Sequence, residues 1–471
     1  MASEITVRPV RWTPRGEAEV LSDGRLPLRV WAGIPGEKAD VRLTHTGQHT
    51  AHAVWWESDE PDPHRVSPVC KKFRPCGGCP LMHVDAEGQA AAHRALVRRA
   101  LDEHDLRDVS LGSYYESPDG SEDFRHIVKL GIDRNERGKL RVGGWGRRDR
   151  MIVPIPMCHV AAPVLRKAMK SIAHHIIDLD IEPYDPRTDR GVLRSVVLRA
   201  SRTTGEVLVV IVAGRRPGVL DELTERIVQG VSEIVGVWLH VNSESGNAIF
   251  SRNELGVIRV RRLEGKDHIR DDLGGITYQI GPGDFFQTNP SMAELLYRKG
   301  LDVLEVGAQD TFVDLYCGVG GWALQAAARG AYAVGVEEVD GAVARAREAA
   351  RQNKLTAEFI SEQVEVAIPD LARRFTTQRP TVLVNPARRG LEDGVAELLL
   401  KLNPRQIGYG SCNPAAMARD LAELRGLGME IGSVDMFAMF PNTPHVECFV
   451  RVRAPDFDAP QKRAPRRRVA R

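Results

Sequence analysis

Apolar and polar residues alternate in short stretches through the first 57 residues, at Ile5 to Val10, Glu17 to Val20, Leu28 to Trp31, Ala39 to Thr44 and His52 to Trp56, with glycine- and proline-bearing turns between them. That period of two predicts a small antiparallel barrel of about five strands, an OB-like class that includes oligonucleotide binders. A polar, proline-rich linker follows at Ser58-Asp-Glu-Pro-Asp-Pro-His64, and after it an Ala- and Arg-rich helix at Ala86 to Glu103. Residues 124–262 predict antiparallel sheet with helices: a hairpin from Ser195 to Ala213 turning at Thr204-Gly205, and helices near Ala161 to His175 and Leu220 to Gln229.

From about residue 290 the pattern changes to helices alternating with strands, which predicts a parallel α/β sheet. The helix Pro290 to Val306 leads to the strand Thr311 to Leu315, a glycine turn, the helix Trp322 to Arg329 and the strand Ala333 to Val336. The helix Asp340 to Asn353 and the strands Ala357 to Ile360 and Thr381 to Val384 follow, then the helix Gly394 to Leu402 and the strand Gln406 to Gly410. A last helix, Pro414 to Gly426, precedes the strands Met429 to Phe437 and Glu447 to Val452.

At 471 residues the chain has room for about three domains. Its densest apolar run, Val207 to Ala213, is strand-length and far short of the roughly 18 residues of a membrane helix, so no membrane span is expected. Glu4 and Arg8 stand where a secretory leader needs its apolar core, which predicts a cytoplasmic protein. With 65 Lys and Arg against 63 Asp and Glu, affinity for a polyanion must come from local clustering. Arg125 to Arg150 supplies it, with nine basic residues against three acids and with Phe124, Trp145, Gly143, Gly144 and Gly146 interleaved. Lys462 to Arg471 adds six basic residues and no acid, and reads as a disordered basic tail.

Three segments carry chemistry. Asp314 ends a predicted strand, Gly318-Val-Gly320-Gly321 follows, and Glu337 stands at the tip of the next strand. Such glycines admit a ligand close to the backbone, and a carboxylate at that offset can accept both hydroxyls of an adenosine ribose. Gly318, Gly320 and Ala323 also satisfy the dinucleotide pattern GxGxxA, so an NAD-dependent oxidoreductase stays open on spacing alone. Ser411-Cys412-Asn413-Pro414 falls between a strand and a helix, at the sheet edge where open α/β folds bind ligands. A helix amino end favours thiolate and makes Cys412 a candidate nucleophile, against the alternative of a buried inert thiol. The seven cysteines are too few and too unevenly placed for a disulfide framework, but Cys70, Cys76 and Cys79 cluster in Cys-Lys-Lys-Phe-Arg-Pro-Cys-Gly-Gly-Cys, and Cys158 follows in Pro-Met-Cys-His.

Taken in order, Asp284-Phe-Phe-Gln-Thr-Asn-Pro290, Asp314-Leu-Tyr-Cys-Gly-Val-Gly-Gly321, Val334-Gly-Val-Glu337, Asn385-Pro-Ala-Arg-Arg-Gly390, Ser411-Cys-Asn-Pro414 and His445-Val-Glu447 resemble the RNA uracil-5-methyltransferase family, the TrmA/RlmC/RlmD group. The front half agrees: Cys70, Cys76 and Cys79 with Leu81-Met-His83 resemble the family's iron–sulfur segment, and Cys158 sits where its fourth ligand is expected. Residues 5–57 resemble, more faintly, the TRAM barrel of some members. The resemblance implies an α/β fold with a C-terminal Rossmann-like class I methyltransferase domain at 276–455. A TRAM/OB-like β-barrel at 1–58, a central α+β domain at 59–275 and the basic tail at 456–471 complete the chain.

It also implies roles. Carbon 5 of uracil is a poor nucleophile; a thiolate adding at carbon 6 activates it, and Cys412 is that thiolate. Glu447 matches the general base that removes the carbon 5 proton after methyl transfer. Gln287, Tyr316, Glu337 and Asn385 match contacts to S-adenosylmethionine, beside the turn glycines Gly318 and Gly321. Cys70, Cys76, Cys79 and Cys158 would hold a 4Fe-4S cluster, with zinc as the alternative that four thiolates equally allow. Many members have Asp where this chain has Asn385; an Asn-Pro-Pro-Arg-Arg-Gly form with Phe-Phe-Gln-Thr-Asn-Pro belongs to the RlmC-type branch acting on 23S rRNA, for which the barrel is atypical. The expected substrate is therefore 23S rRNA, with tRNA as the alternative, and the expected enzyme is a monomer. A non-catalytic RNA-binding iron–sulfur protein is the remaining different-class reading.

Overall fold

The computed structural model describes residues 4–21, 26–147, 151–246, 248–251 and 258–455. The tail Lys462 to Arg471, and Arg148 and Arg150 of the internal basic cluster, lie outside the described residues.

The larger sheet has eight strands in the order Ala357–Ser361, Tyr332–Glu337, Thr311–Leu315, Thr381–Val384, Gln406–Ser411, Glu447–Arg453, Glu430–Phe437, Leu111–Tyr115. The first five strands are parallel, and Glu447–Arg453 runs against both of its neighbours. Val313, Leu315, Val334, Val382, Val384 and Ile407 alternate into one apolar layer beneath the helices Val364–Arg374, Val395–Lys401 and Pro414–Gly426. Phe312, Ala333, Leu383 and Phe449 point to the other, beneath Pro290–Val303, Gly321–Ala328 and Asp340–Gln352. Burial on both faces is why these strands are nearly continuous apolar runs.

Two elements differ from the sequence expectation. Leu111–Tyr115, expected in the central domain, instead closes the eight-stranded sheet by pairing in parallel with Glu430–Phe437, and the helix before it, Ala86–Glu103, packs on Pro414–Gly426. The helix Val364–Arg374 was not expected, because Pro369 interrupts it. Its buried residues Val364, Ala367, Ile368 and Leu371 nevertheless follow helical spacing.

The central sheet has seven strands in the order Ile152–Val153, Leu140–Trp145, Ile127–Arg134, Leu193–Ala200, Val207–Ala213, Ile234–Val241, Arg261–Gly265. The helices Pro163–Asp178 and Val219–Gly230 cover one face, over Val128, Leu130, Val196 and Leu198. The N-terminal residues form a six-stranded sheet rather than five strands. The expected strand Ile5 to Val10 ends at Val7, ahead of Pro9, which has no N–H to donate to a ladder, and a separate short strand, Arg11–Trp12, follows. Among the described residues no helix is long and apolar enough to cross a membrane.

Candidate active site

The parallel strands deliver their following residues to one edge of the sheet. Tyr316 and Gly318 follow Thr311–Leu315, Glu337 ends its strand, Asn385 follows Thr381–Val384 and Cys412 follows Gln406–Ser411. Glu447 reaches the same edge from the opposite direction, because it begins the antiparallel strand. Ser411 pairs with Cys448 in that ladder, so Cys412 and Glu447 occupy the same ladder end. Asn413 caps the following helix by accepting from the Ala415 N–H at 3.2 Å, with Pro414 in its first turn, and this fixes the chain just after the thiol.

The glycine turn is open. Gly318 has φ +56°, and a β-carbon there would meet nothing within 4 Å. Its N–H donates to Glu337 Oε2 at 3.1 Å, and the Val339 N–H donates to Oε1 at 3.0 Å, which fixes the carboxylate beside the turn. Tyr316 holds φ +66°, a conformation that costs roughly 1–2 kcal/mol in a non-glycine residue. Its hydroxyl is buried with no hydrogen-bond partner, as is Asp314 Oδ1. The open glycine turn with the fixed Glu337 carboxylate beside it fits a polar ligand such as the adenosine end of S-adenosylmethionine. Gln287, 7% exposed, hydrogen-bonds the Tyr297 hydroxyl, which in turn stands against Gly321, so Gln287 is tied to the same turn. Asn385 packs against Gly410, one strand from Cys412.

Around the thiol, charge is arranged by burial. Burial lifts the carboxyl of Glu447, 4% exposed, to about 8, against the opposing pull of the Arg388 guanidinium. Burial also pushes the Cys412 thiol up, and the Glu447 charge adds to this, while Arg388 opposes both through its charge and a hydrogen bond. The expected lowering of this thiol by the helix end is thus reversed in the free protein: desolvation outweighs it. His445 is pushed down to about 4 by burial and by the nearby Arg388, His93 and Arg125. Arg388 carries no role in the sequence expectation, although its segment, Asn385-Pro-Ala-Arg-Arg-Gly390, does. Its signal was the motif itself, two arginines placed directly after a strand at the ligand-binding edge.

A consequence for stability follows from the buried carboxyls. Asp314 is likewise lifted by burial to about 8. Both groups bind protons more tightly in the folded than in the unfolded chain, so between about pH 4 and 8 the folded state holds more protons and stability falls as pH rises. Glu447→Gln keeps the shape and cannot ionise; it is expected to raise the melting temperature relative to the native chain at pH 8 and to leave it unchanged at pH 4. Thermal unfolding across that range measures it.

The four N-proximal cysteines converge. Cys70, Cys79 and Cys158 pack against Trp31, Phe73, Phe124 and Val160, and Cys76 bridges to Gly146. Burial pushes the Cys79 thiol up to about 12, and Cys158, Cys76 and Cys70 add to it while Arg125 opposes. All seven cysteines are free of disulfides. Among the described residues no group of three or more His, Cys, Asp or Glu side chains stands in an arrangement for a metal ion. Four partly buried thiols from two segments, three of them in one apolar cluster and all four close enough to act on one another by charge, nevertheless supply the donor set that a four-thiolate group requires.

Comparison with known proteins gives the family. The family described as tRNA (uracil-5-)-methyltransferase matches residues 263–454. An RNA methyltransferase of Clostridium tetani is 30% identical over 89% of this chain and 90% of its own length. One from Geobacter sulfurreducens is 31% identical over 89% of this chain and 84% of its own. Among solved structures, the Pyrococcus abyssi tRNA (uracil-54, C5)-methyltransferase in complex with S-adenosyl-L-homocysteine superposes with a TM-score of 0.71 at 25% identity, covering 95% of this chain and 100% of that one. With its class I methyltransferase sheet, its open glycine turn and relatives that match along nearly their whole length, the chain belongs to the RNA uracil-5-methyltransferase family and is an S-adenosylmethionine-dependent RNA methyltransferase.

Proposed function

We propose that the protein methylates carbon 5 of a uridine in structured RNA through a covalent adduct between Cys412 and carbon 6. The observation that carries this reading is the pairing of a thiol and a buried carboxyl at one ladder end, with the guanidinium of Arg388 beside both. Cys412, its proton released to solvent, adds as the thiolate to carbon 6, and the ring electrons displaced onto carbon 4 oxygen make carbon 5 nucleophilic. S-adenosylmethionine supplies an electrophilic methyl group on a sulfonium sulfur. Glu447, as carboxylate, then removes the proton that carbon 5 still carries, and elimination of the Cys412 sulfur restores the ring double bond. Arg388 favours both the thiolate and the carboxylate, offsetting part of the cost of their burial. Glu337 would hold ribose hydroxyls, Tyr316 and Gln287 the rest of the donor, and Asn385 would bridge donor and uracil. The backbone of Gly318 and Gly321 would allow their close approach.

A base inside a stack cannot reach this edge, so the RNA must present it unstacked. Phe285, 74% exposed and two residues from Gln287, would offer a flat apolar surface to an unstacked base. The residues 4–57 read as the TRAM-like module that extends the RNA surface. Cys70, Cys76, Cys79 and Cys158 would hold a 4Fe-4S cluster as a structural element beside that surface. Cys70→Ser is expected to remove the broad visible absorption of anaerobically isolated protein; one equivalent of zinc without iron in the native chain would contradict the cluster.

The substrate reading is a 23S rRNA uridine, supported by the Phe-Phe-Gln-Thr-Asn-Pro and Asn-Pro-Ala-Arg-Arg-Gly segments. The similarity to a tRNA (uracil-54, C5)-methyltransferase favours tRNA as a second reading. Mapping 5-methyluridine in rRNA and tRNA from cells with and without the gene separates them: loss from 23S rRNA supports the first, and loss from tRNA alone refutes it.

A further inference from the structure

The face of the central sheet away from its two helices buries Val197, Val210 and Val212 with Ile249 and Phe250, and it also carries cations that form no ion pair within 4 Å among the described residues. Val128 and Leu130 are buried under the helices, so the residues between them point the other way. Arg125, just ahead of the strand, Ile127 and Lys129 alternate on this second face, and Arg199 stands directly opposite Ile127 in the antiparallel ladder. Arg125, Lys129 and Arg199 therefore surround one isoleucine. The site of Cys412 adjoins them. Arg199 donates through Nη2 to the backbone oxygen of Asp284 at 2.5 Å, at the start of the segment that carries Gln287. Arg388, hydrogen-bonded to Cys412, also acts on Lys129.

None of these four cations forms an ion pair within 4 Å among the described residues, although acidic residues partner most other arginines of the chain. Arg199 is only 9% exposed, and its Nη1 is buried with no partner; Arg125 Nε is also unpartnered. Burial and the three neighbouring guanidinium groups push the Lys129 ammonium down, the mark of like charges held together. A buried donor left unmatched is destabilising, and gathering like charges adds to that, so the arrangement calls for an anion.

We propose that Arg125, Lys129 and Arg199, completed by Arg388, form a subsite for a backbone phosphate of the RNA adjacent to the target nucleotide. This rests on the reading of an RNA substrate at Cys412. Its place gives it a task that a general basic surface lacks. Unstacking a base swings its sugar and phosphate out of the strand, and a phosphate held between Lys129 and the Arg388 segment keeps the base over the thiol. The same ligand chemistry could come from free phosphate, which the test separates.

The test measures binding of an oligouridylate of about ten nucleotides to the full chain across a salt series, with inorganic phosphate as a second titrant. Each phosphate contact contributes about 0.7 to the slope of log affinity against log salt for single strands. Lys129→Met, at an exposed position, is expected to lower that slope by about 0.7 and to weaken binding about tenfold at low salt, and Lys129→Glu to lower the slope further. Binding of S-adenosylhomocysteine should match the native chain in both variants, showing that the fold is kept. Inorganic phosphate should compete far more weakly than the oligonucleotide. An unaltered slope in both variants, or a slope change reproduced entirely by inorganic phosphate binding at the same affinity, overturns the subsite. Methyl transfer to RNA by the native chain is scored separately. Transfer with an unaltered slope sinks only the subsite; an altered slope without any transfer leaves the subsite standing and removes the reaction.

Discussion

Cys412→Ala is expected to abolish methyl transfer to RNA, by on the order of 10⁶-fold, the scale on which a covalent nucleophile is missed. The loss is this large because no other group can replace the thiol. Cys448, the next residue after Glu447, is fully buried, and burial pushes its thiol well above the usual range. Cys317 is likewise buried behind the glycine turn and pushed up. The variant should bind S-adenosylhomocysteine as the native chain does, since the open turn and the Glu337 carboxylate are untouched. Single-turnover assays with RNA lacking the modification provide the measurement; appreciable residual turnover would mean that carbon 5 is activated without an adduct.

Glu447→Gln is expected to slow turnover by about 10²–10⁴-fold and, unlike Cys412→Ala, to accumulate a denaturation-resistant protein–RNA complex. Addition and methylation need only the thiol, but the adduct cannot collapse while carbon 5 keeps its proton. The trapped complex should carry the methyl group, which a labelled donor reveals on a denaturing gel. A trapped complex without label would place Glu447 before methyl transfer, and normal turnover would remove it from the role of base. Because Glu447 sits at about 8 in the free protein, its carboxylate is the minor form at neutral pH, and kcat/KM for RNA should rise with pH up to that value.

The strands Thr311–Leu315 and Thr381–Val384 and the helices Ala86–Glu103 and Pro414–Gly426 were legible to the residue, because local signals bound them. Asp85 and Asn413 cap the two helices, and glycine or proline follows both strands within a few residues. The edge position of Cys412 was legible for the same reason. What the sequence did not disclose depends on distant pairing. Leu111–Tyr115 joins a strand more than 300 residues away, which no local pattern announces. The opposing of Cys412 and Glu447 arises from an antiparallel register between strands that the sequence separates by a helix and a further strand. The upward shift of the Cys412 thiol reflects burial by that neighbourhood, whereas the sequence showed only the helix end that opposes it. Likewise Lys129 and Arg199 become neighbours only through the ladder that joins their strands.

The central claim is uridine carbon 5 methylation in RNA, and one measurement reaches it directly. Purified protein is incubated with methyl-labelled S-adenosylmethionine and total RNA from cells lacking the modification, and the RNA is digested to nucleosides. The account predicts label in 5-methyluridine alone, absent with Cys412→Ala. Label in a ribose-methylated or other base-methylated nucleoside, or label in 5-methyluridine that persists with Cys412→Ala, would contradict it.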